Sequence, residues 1–342
     1  MLRILSRSNR IGVLFVVAVM LVTGCSEPAT PTPRPTLEST RTSTPQPTVT
    51  SKPTHTPMPS PTVTSKPTDT CTPVPATATQ EPMPASVAEG SRIAFESSGE
   101  IRVLNVDDSS LTRLTFEGGT QPTWSPDGAR IAFVSHRDGS NQVYVMEADG
   151  SDVTQLTFEG GEHPAWSPDG THIAFASMRG GSEEIYVMDV EGADIKQLTN
   201  TGGTEPCWSP DGTLITFVSH EELFTMSADG SNRSVLPIQD SSNCRPTDVH
   251  LPAWSPDGTR LAFSSHPACV EGTGISIYVM NADGSNVELI GKLADDAPTW
   301  SPDGTRIAFA TASGISVMNA DGSDRVNLTT NSYQDLFPAW SP

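Results

Sequence analysis

From residue 91 onward, short apolar runs alternate with polar turn segments, and one composite pattern recurs around the chain. Each repeat opens on a run ending in tryptophan, at Trp124, Trp166, Trp208, Trp254, Trp300 and Trp340, with spacings of 42, 42, 46, 46 and 40 residues. Ser-Pro-Asp-Gly follows the first five. Proline presets φ at the second turn position and glycine permits the positive φ that closes a hairpin. An Ile-Ala-Phe-like run comes next, as at Ile131-Ala132-Phe133 and Ile173-Ala174-Phe175, then Val143-Tyr144-Val145-Met146 and its counterparts. An Ala-Asp-Gly-Ser turn then leads to a short run ending in Leu-Thr, as at Leu114-Thr115. Four strands per repeat is the content of one β-propeller blade. The central runs are apolar on both faces, which predicts blades sandwiched between blades. Six tryptophans at one repeat position predict wedges between those blades.

The ring closes by counting. Ile93-Ala94-Phe95 lacks a preceding tryptophan run, and the run ending at Trp340 lacks a following Ile-Ala-Phe run. The segment from Phe337 to Pro342 is therefore expected to form the innermost strand of the blade whose other strands span about Arg92 to Thr115. This removes the unpaired edges of an open ring. The fold class is all-β: a six-bladed propeller over residues 90–342, closed by N- and C-terminal strands of one blade.

The first 89 residues have a different character. Arg3, Arg7 and Arg10 precede an apolar run from Ile11 to Val22, followed by Thr23-Gly24-Cys25. That order is the order of an export signal, and the run is short of the roughly 20 residues a membrane span needs. Leu21 to Cys25 resembles the bacterial lipobox, which implies a signal peptide over 1–24 and lipid on Cys25. Residues 25–89 are dominated by Thr, Pro and Ser and have too few large apolar side chains to bury a core. They read as a disordered, semi-rigid stalk beyond the anchor, in which His55 and Cys71 are incidental. The expected location is extracytoplasmic, with membrane contact only through the N-terminal lipid.

The pattern PxWSPDGxxIAFxS followed by IYVMxADGS resembles the PD40 repeat of TolB-type propellers and spans residues 91–342. The resemblance implies the propeller and a role in binding partner proteins of the cell envelope. A lipid anchor and stalk stand here where TolB carries an α/β domain. Fold resemblance specifies architecture more firmly than function.

Net charge is −20, and the acidic excess lies in the propeller half. Nucleic acid, which needs a basic face, is thereby excluded as a partner. Much of the acidity belongs to the aspartates of the repeated turns. No G-x-S-x-G nucleophile elbow occurs, so no hydrolase of that type is predicted. The Ala-Asp-Gly-Ser turns lack the spacing of a calcium loop. His136, His220 and His266 share one repeat position, with His163 and His250 ahead of inner strands. Ring geometry spreads the three equivalent histidines over blades two, four and five. No metal, cofactor or catalytic residue is therefore expected. The rival from another class is a metal-dependent polysaccharide-degrading enzyme on a similar propeller. Cys244 and Cys269 fall in insertions whose loops share a propeller face, and in an exported protein they are expected to pair as a disulfide. Cys207 stands where other repeats have Ala or Thr and reads as a small buried hydrophobe.

Once repeat-determined aromatics are set aside, Phe116, Phe158, Tyr333 and Phe337 remain in or beside the connections joining blades six, one, two and three. Glu117, Glu159, Glu162 and His163 accompany them. An arc of apolar anchors within an acidic rim suits a protein-binding surface, with an envelope protein as the expected partner or a glycan in its place. The competing expectation is that Phe116 and Phe158 tuck against the blade edges; exposure decides between the two.

Overall fold

The computed structural model describes residues 91–239, 246–267, 274–330 and 335–342. These contain 24 strands in six four-stranded antiparallel sheets. Blade one contains β1 (Arg92–Ser97), β2 (Glu100–Asn105), β3 (Leu111–Arg113) and β24 (Asp335–Trp340). Blade two comprises β4 (Thr120–Trp124), β5 (Arg130–Ser135), β6 (Gln142–Glu147) and β7 (Thr154–Gln155). Blade three comprises β8 (Glu162–Trp166), β9 (His172–Ser177), β10 (Glu184–Asp189) and β11 (Lys196–Gln197). Blade four comprises β12 (Thr204–Trp208), β13 (Leu214–Ser219), β14 (Glu222–Ser227) and β15 (Ser234–Val235). Blade five comprises β16 (Pro246–Trp254), β17 (Arg260–Pro267), β18 (Ser276–Asn281) and β19 (Glu288–Leu289). Blade six comprises β20 (Asp296–Trp300), β21 (Arg306–Thr311), β22 (Gly314–Asn319) and β23 (Val326–Asn327). The inner strands β4, β8, β12, β16, β20 and β24 touch in succession and return to β4, closing a ring around one axis.

Closure occurs where the count of orphan runs placed it. Blade one has the order β24-β1-β2-β3, with Trp340 opposite Ile93 and Ala339 opposite Ala94. In blade two the Ser125 amide donates to Arg130 O (2.8 Å) and Arg130 N donates to Ser125 Oγ (2.9 Å). Ser341 repeats both bonds with Arg92, at 2.8 and 3.2 Å, although the loop between them is cut. The serine, not the continuous turn, supplies the bonding pattern at the seam.

The hydrophobic core lies between blades. Ala94, Ile101 and Val103 of blade one pack with Trp124, Ile131, Phe133, Tyr144 and Met146 of blade two. All three residues of the Ile131-Ala132-Phe133 run are fully buried, as expected for a sheet covered on both faces. The tryptophans are wedges. Trp124 Nε1 donates to Ala339 O (3.2 Å) and Trp300 Nε1 to Ala253 O (3.1 Å), each reaching the inner strand of the preceding blade. Cys207 is only half-buried in β12, and its thiol is pushed up to about 11 by desolvation.

The turns have more chemistry than proline and glycine alone. Asp127 accepts from Ser125 Oγ (2.6 Å) and Ala129 N (3.0 Å), while Gly128 adopts a φ of 69°. The same serine-aspartate pair recurs at Ser167, Ser209, Ser255 and Ser301. These turns and the Ala-Asp-Gly-Ser turns occupy one face of the ring, and the connections between blades emerge on the other, because every strand reverses direction relative to its neighbour.

Candidate functional site

Two consecutive connections expose aromatic rings for a local reason. Thr157 is buried: its Oγ1 accepts from Val143 N (2.9 Å) and donates to Gln142 Oε1 (2.8 Å). Gln142 Oε1 also accepts from Gly160 N (3.0 Å). At Gly161 an added Cβ would lie 2.9 Å from Thr157 Oγ1 and from Val143 Cγ2, so the chain is held close on both sides of a short tip. Phe158 and Glu159 form that tip, and Phe158 is 75% exposed. Phe116 stands at the equivalent position one blade earlier and is 72% exposed, with the Arg113 guanidinium 4.3 Å from its ring centroid. Exposed Asn200 and Thr330 occupy this position after blades three and six. After blade four the equivalent Ile238 is half-buried against the core, so the repeat permits both settings; at 72% and 75% exposure Phe116 and Phe158 take the outward one rather than the edge-tucked one.

The structure adds Met178, 63% exposed in the loop after β9. Its neighbours Ser177 and Arg179 both bond Gly160 O, at 3.0 Å each, which fastens this loop to the Phe158 connection. Glu117 lies at the same rim, 3.5 Å from Arg137.

Glu162, His163 and Phe337 belong instead to the inner strands β8 and β24. Sequence reasoning placed His163 and His250 ahead of inner strands, but they belong to β8 and β16, because each inner strand starts two residues or more before its proline and bulges there. Gln121, His163, Glu205, Leu251, Ala297 and Phe337 form an equivalent set, one per blade, all with φ between 49° and 54°. Such values are costly for residues with a Cβ. Side chains from neighbouring blades hold several of the bulged amides: Gln121 Oε1 accepts from His163 N (2.7 Å) and Glu205 Oε2 from Leu251 N (2.6 Å). Phe337 is half-buried, and Glu162 accepts from Asn141 Nδ2 (3.0 Å). Tyr333, Cys25, Cys244 and Cys269 lie outside the described residues.

This axial set holds a polar network that sequence reasoning missed. His163 Nε2 is 3.0 Å from Gln121 Nε2, and His250 lies between Glu205 (Nδ1 to Oε1, 3.8 Å) and Asp248 (Nε2 to Oδ1, 3.0 Å). Asp248 Oδ2 is in turn 3.7 Å from His266. Burial alone would raise the Glu205 carboxyl, but His250, the charge of His163 and the Leu251 amide together hold it below the usual carboxylate range. Glu205 beside it raises the His250 imidazole above its ordinary value, against the opposing effect of burial, with Asp248 and Asp296 adding to the shift. The result is an acid-imidazole chain spanning blades three to five. Among the described residues, no three His, Cys, Asp or Glu are grouped closely enough to hold one metal ion.

The family model of the TolB beta propeller domain, PD40, matches residues 68–163 and 161–342. Among solved structures, the chain is similar to TolB from Acinetobacter baumannii at 23% identity and a TM-score of 0.65, over 73% of this chain and 66% of that one. It is also similar to a chain of a nidogen/laminin complex at 13% identity and a TM-score of 0.61, over 74% and 99%. A putative TolB from Agrobacterium tumefaciens matches at 24% identity and a TM-score of 0.51, over 63% and 95%. At these identities the likenesses show the fold. A search of curated protein sequences yields no match.

Proposed function

Because the chain belongs to the TolB β-propeller family, we propose that its propeller is a binding module that captures a protein of the cell envelope on the face bearing the blade-to-blade connections. The observation that carries this reading is the exposure of Phe116 and Phe158 on two consecutive blade-to-blade connections. Exposed aromatic anchors flanked by Met178, Glu117 and Glu159 have the makeup of an interface centre with a polar rim. The role we propose is binding rather than catalysis, supported by the axial network around Glu205 and His250, whose groups engage one another and a bulged backbone amide.

The test is envelope-partner capture by the parent protein and by the Phe116→Ala/Phe158→Ala variant. Truncating two hot-spot rings is expected to weaken capture by about 30-fold, corresponding to about 2 kcal/mol, at an unchanged melting temperature. Undiminished capture rules the site out, and so does a lowered melting temperature with capture intact. Capture that survives protease treatment of the extract but not deglycosylation would assign a glycan in place of a protein.

The same reading makes the protein a lipoprotein tethered through Cys25, supported by the charged, apolar and small-residue order of the first 25 residues. Cys25→Ala is expected to accumulate as an unprocessed precursor and to incorporate no palmitate analogue during metabolic labelling. Equal labelling of both forms refutes the anchor.

A further inference from the structure

On the face carrying the Ser-Pro-Asp-Gly turns, three of the four arginines at one repeat position stack on the tryptophan of the next blade, the exposed Arg306 of blade six being the exception. Arg92 lies over Trp124 at 4.6 Å, Arg130 over Trp166 at 5.0 Å and Arg260 over Trp300 at 4.6 Å. Trp124, Trp166 and Trp300 are buried beneath them. In blade three this position is His172, whose shorter side chain is exposed and has its Nδ1 2.7 Å from Thr171 Oγ1. Among the described residues no cation stacks on Trp208, which is half-exposed. A groove of about 670 Å³ opens over it, walled by Pro168 and Pro210.

The groove is rimmed by carboxylates although no cation covers the indole face. Asp169, Asp211 and Asp229 line it. The Ser167 hydroxyl and the Thr171 amide hold Asp169 at about 2, and the Ser209 hydroxyl and Thr213 amide lower Asp211 likewise, so both are ionised. Lys196 also lines the groove, its Nζ donating to Asp229 O at 2.8 Å and its charge adding to the lowering of the Asp229 carboxyl, so the lining carries three carboxylates against one lysine. At the following boundary the position is Leu214, an apolar substitute, and Trp254 Nε1 is engaged by Thr216 Oγ1 at 3.1 Å.

We infer that the groove over Trp208 receives a guanidinium group, supplied by an arginine side chain of a protein segment docking on this face. Three sister boundaries show the geometry of the occupant, since each holds an arginine of the chain itself in the corresponding place. A guanidinium plane matches an indole face and forks onto carboxylates, which a lysine ammonium does less well. The groove has room for that side chain and for flanking backbone, on the scale of ordinary ligand sites. The inference stands apart from the partner surface proposed above, which lies on the opposite face and uses none of these residues.

The experiment follows the six indole N–H signals of protein labelled with ¹⁵N-tryptophan, assigned through Trp208→Phe, while N-acetyl-Gly-Arg-Gly amide is added. Saturable movement of the Trp208 signal is expected. The citrulline peptide, equal in shape but uncharged, should bind at least tenfold more weakly, and agmatine, which lacks the peptide backbone, more weakly than the arginine peptide. His172→Arg should fill the seat from within and abolish the response, the other five indole signals reporting an intact fold. Asp211→Asn, a milder change outside the core, should weaken binding at least threefold. A Trp208 signal that stays still at millimolar peptide overturns the inference, as does equal binding of the citrulline peptide or an undiminished response in His172→Arg. Agmatine binding as tightly as the peptide overturns the assignment to a protein segment.

Discussion

Deleting residues 335–342 is expected to abolish cooperative unfolding, leaving an aggregation-prone chain with no sharp thermal transition. Trp340 packs with Ile93, Phe95, Ala308, Ala310 and Ile315 at the boundary of blades six and one. Losing one such tryptophan costs about 3–5 kcal/mol. The deletion also removes the carbonyl of Ala339 that Trp124 Nε1 bonds, and the Asp335 carboxylate that accepts from Thr329 Oγ1. It frees the edge of β1, a template for intermolecular pairing. These losses together match the whole stability of a typical domain, about 5–15 kcal/mol. Differential scanning calorimetry gives the answer, with Trp340→Ala as a graded companion expected to stay folded at a lower melting temperature. A truncated protein melting as cooperatively as the parent, at the same temperature, shows that the ring does not depend on this strand.

Arg325→Ala is expected to destabilise the propeller by about 3–5 kcal/mol, the cost of leaving a buried charge without its partner. Asp295 is 2% exposed and receives both arms of the Arg325 guanidinium, at 2.6 and 2.7 Å. The Lys292 amide also donates to Asp295, which fixes the connection from blade five to blade six. The guanidinium lies 4.6 Å from the ring centroid of fully buried Phe309, so the variant loses packing as well as charge. Asp295→Asn/Arg325→Met should recover much of the loss, because asparagine keeps an acceptor for Lys292 while no uncompensated charge remains. Chemical denaturation of the two single variants and the double variant measures the coupling. An Arg325→Ala protein within about 1 kcal/mol of the parent would place the pair among the weak surface bridges instead.

Much of this architecture is local and therefore legible in one dimension. The Ser-Pro-Asp-Gly turn needs only its own serine, aspartate and glycine, and the Leu-Thr strand ends need only a threonine that folds back on the adjacent strand. Repetition converts those local rules into a count of blades, and the two orphan runs convert the count into a closure. The exposed tips at Phe116 and Phe158 were half legible: composition marked the rings as surplus to the repeat, but whether they turn outward depended on Thr157, Gln142 and Gly161 gripping the chain on either side. Met178 shares its repeat position with His136 and carries no mark of a site in the sequence, and nothing there places its loop against Gly160.

The sequence by itself determined the elements, their order and the seam, because hairpins and strand pairs are written in neighbouring residues. Only the tertiary structure decided what crosses a blade boundary. Glu205 meets His250 from another blade, 45 positions further along the chain, and Trp208 depends for its cover on residue 172 of the preceding blade. In the sequence His172 is an unremarkable departure from arginine. It becomes a groove only because packing sets that position against the next tryptophan, where a shorter side chain leaves the aromatic face without a stacked guanidinium.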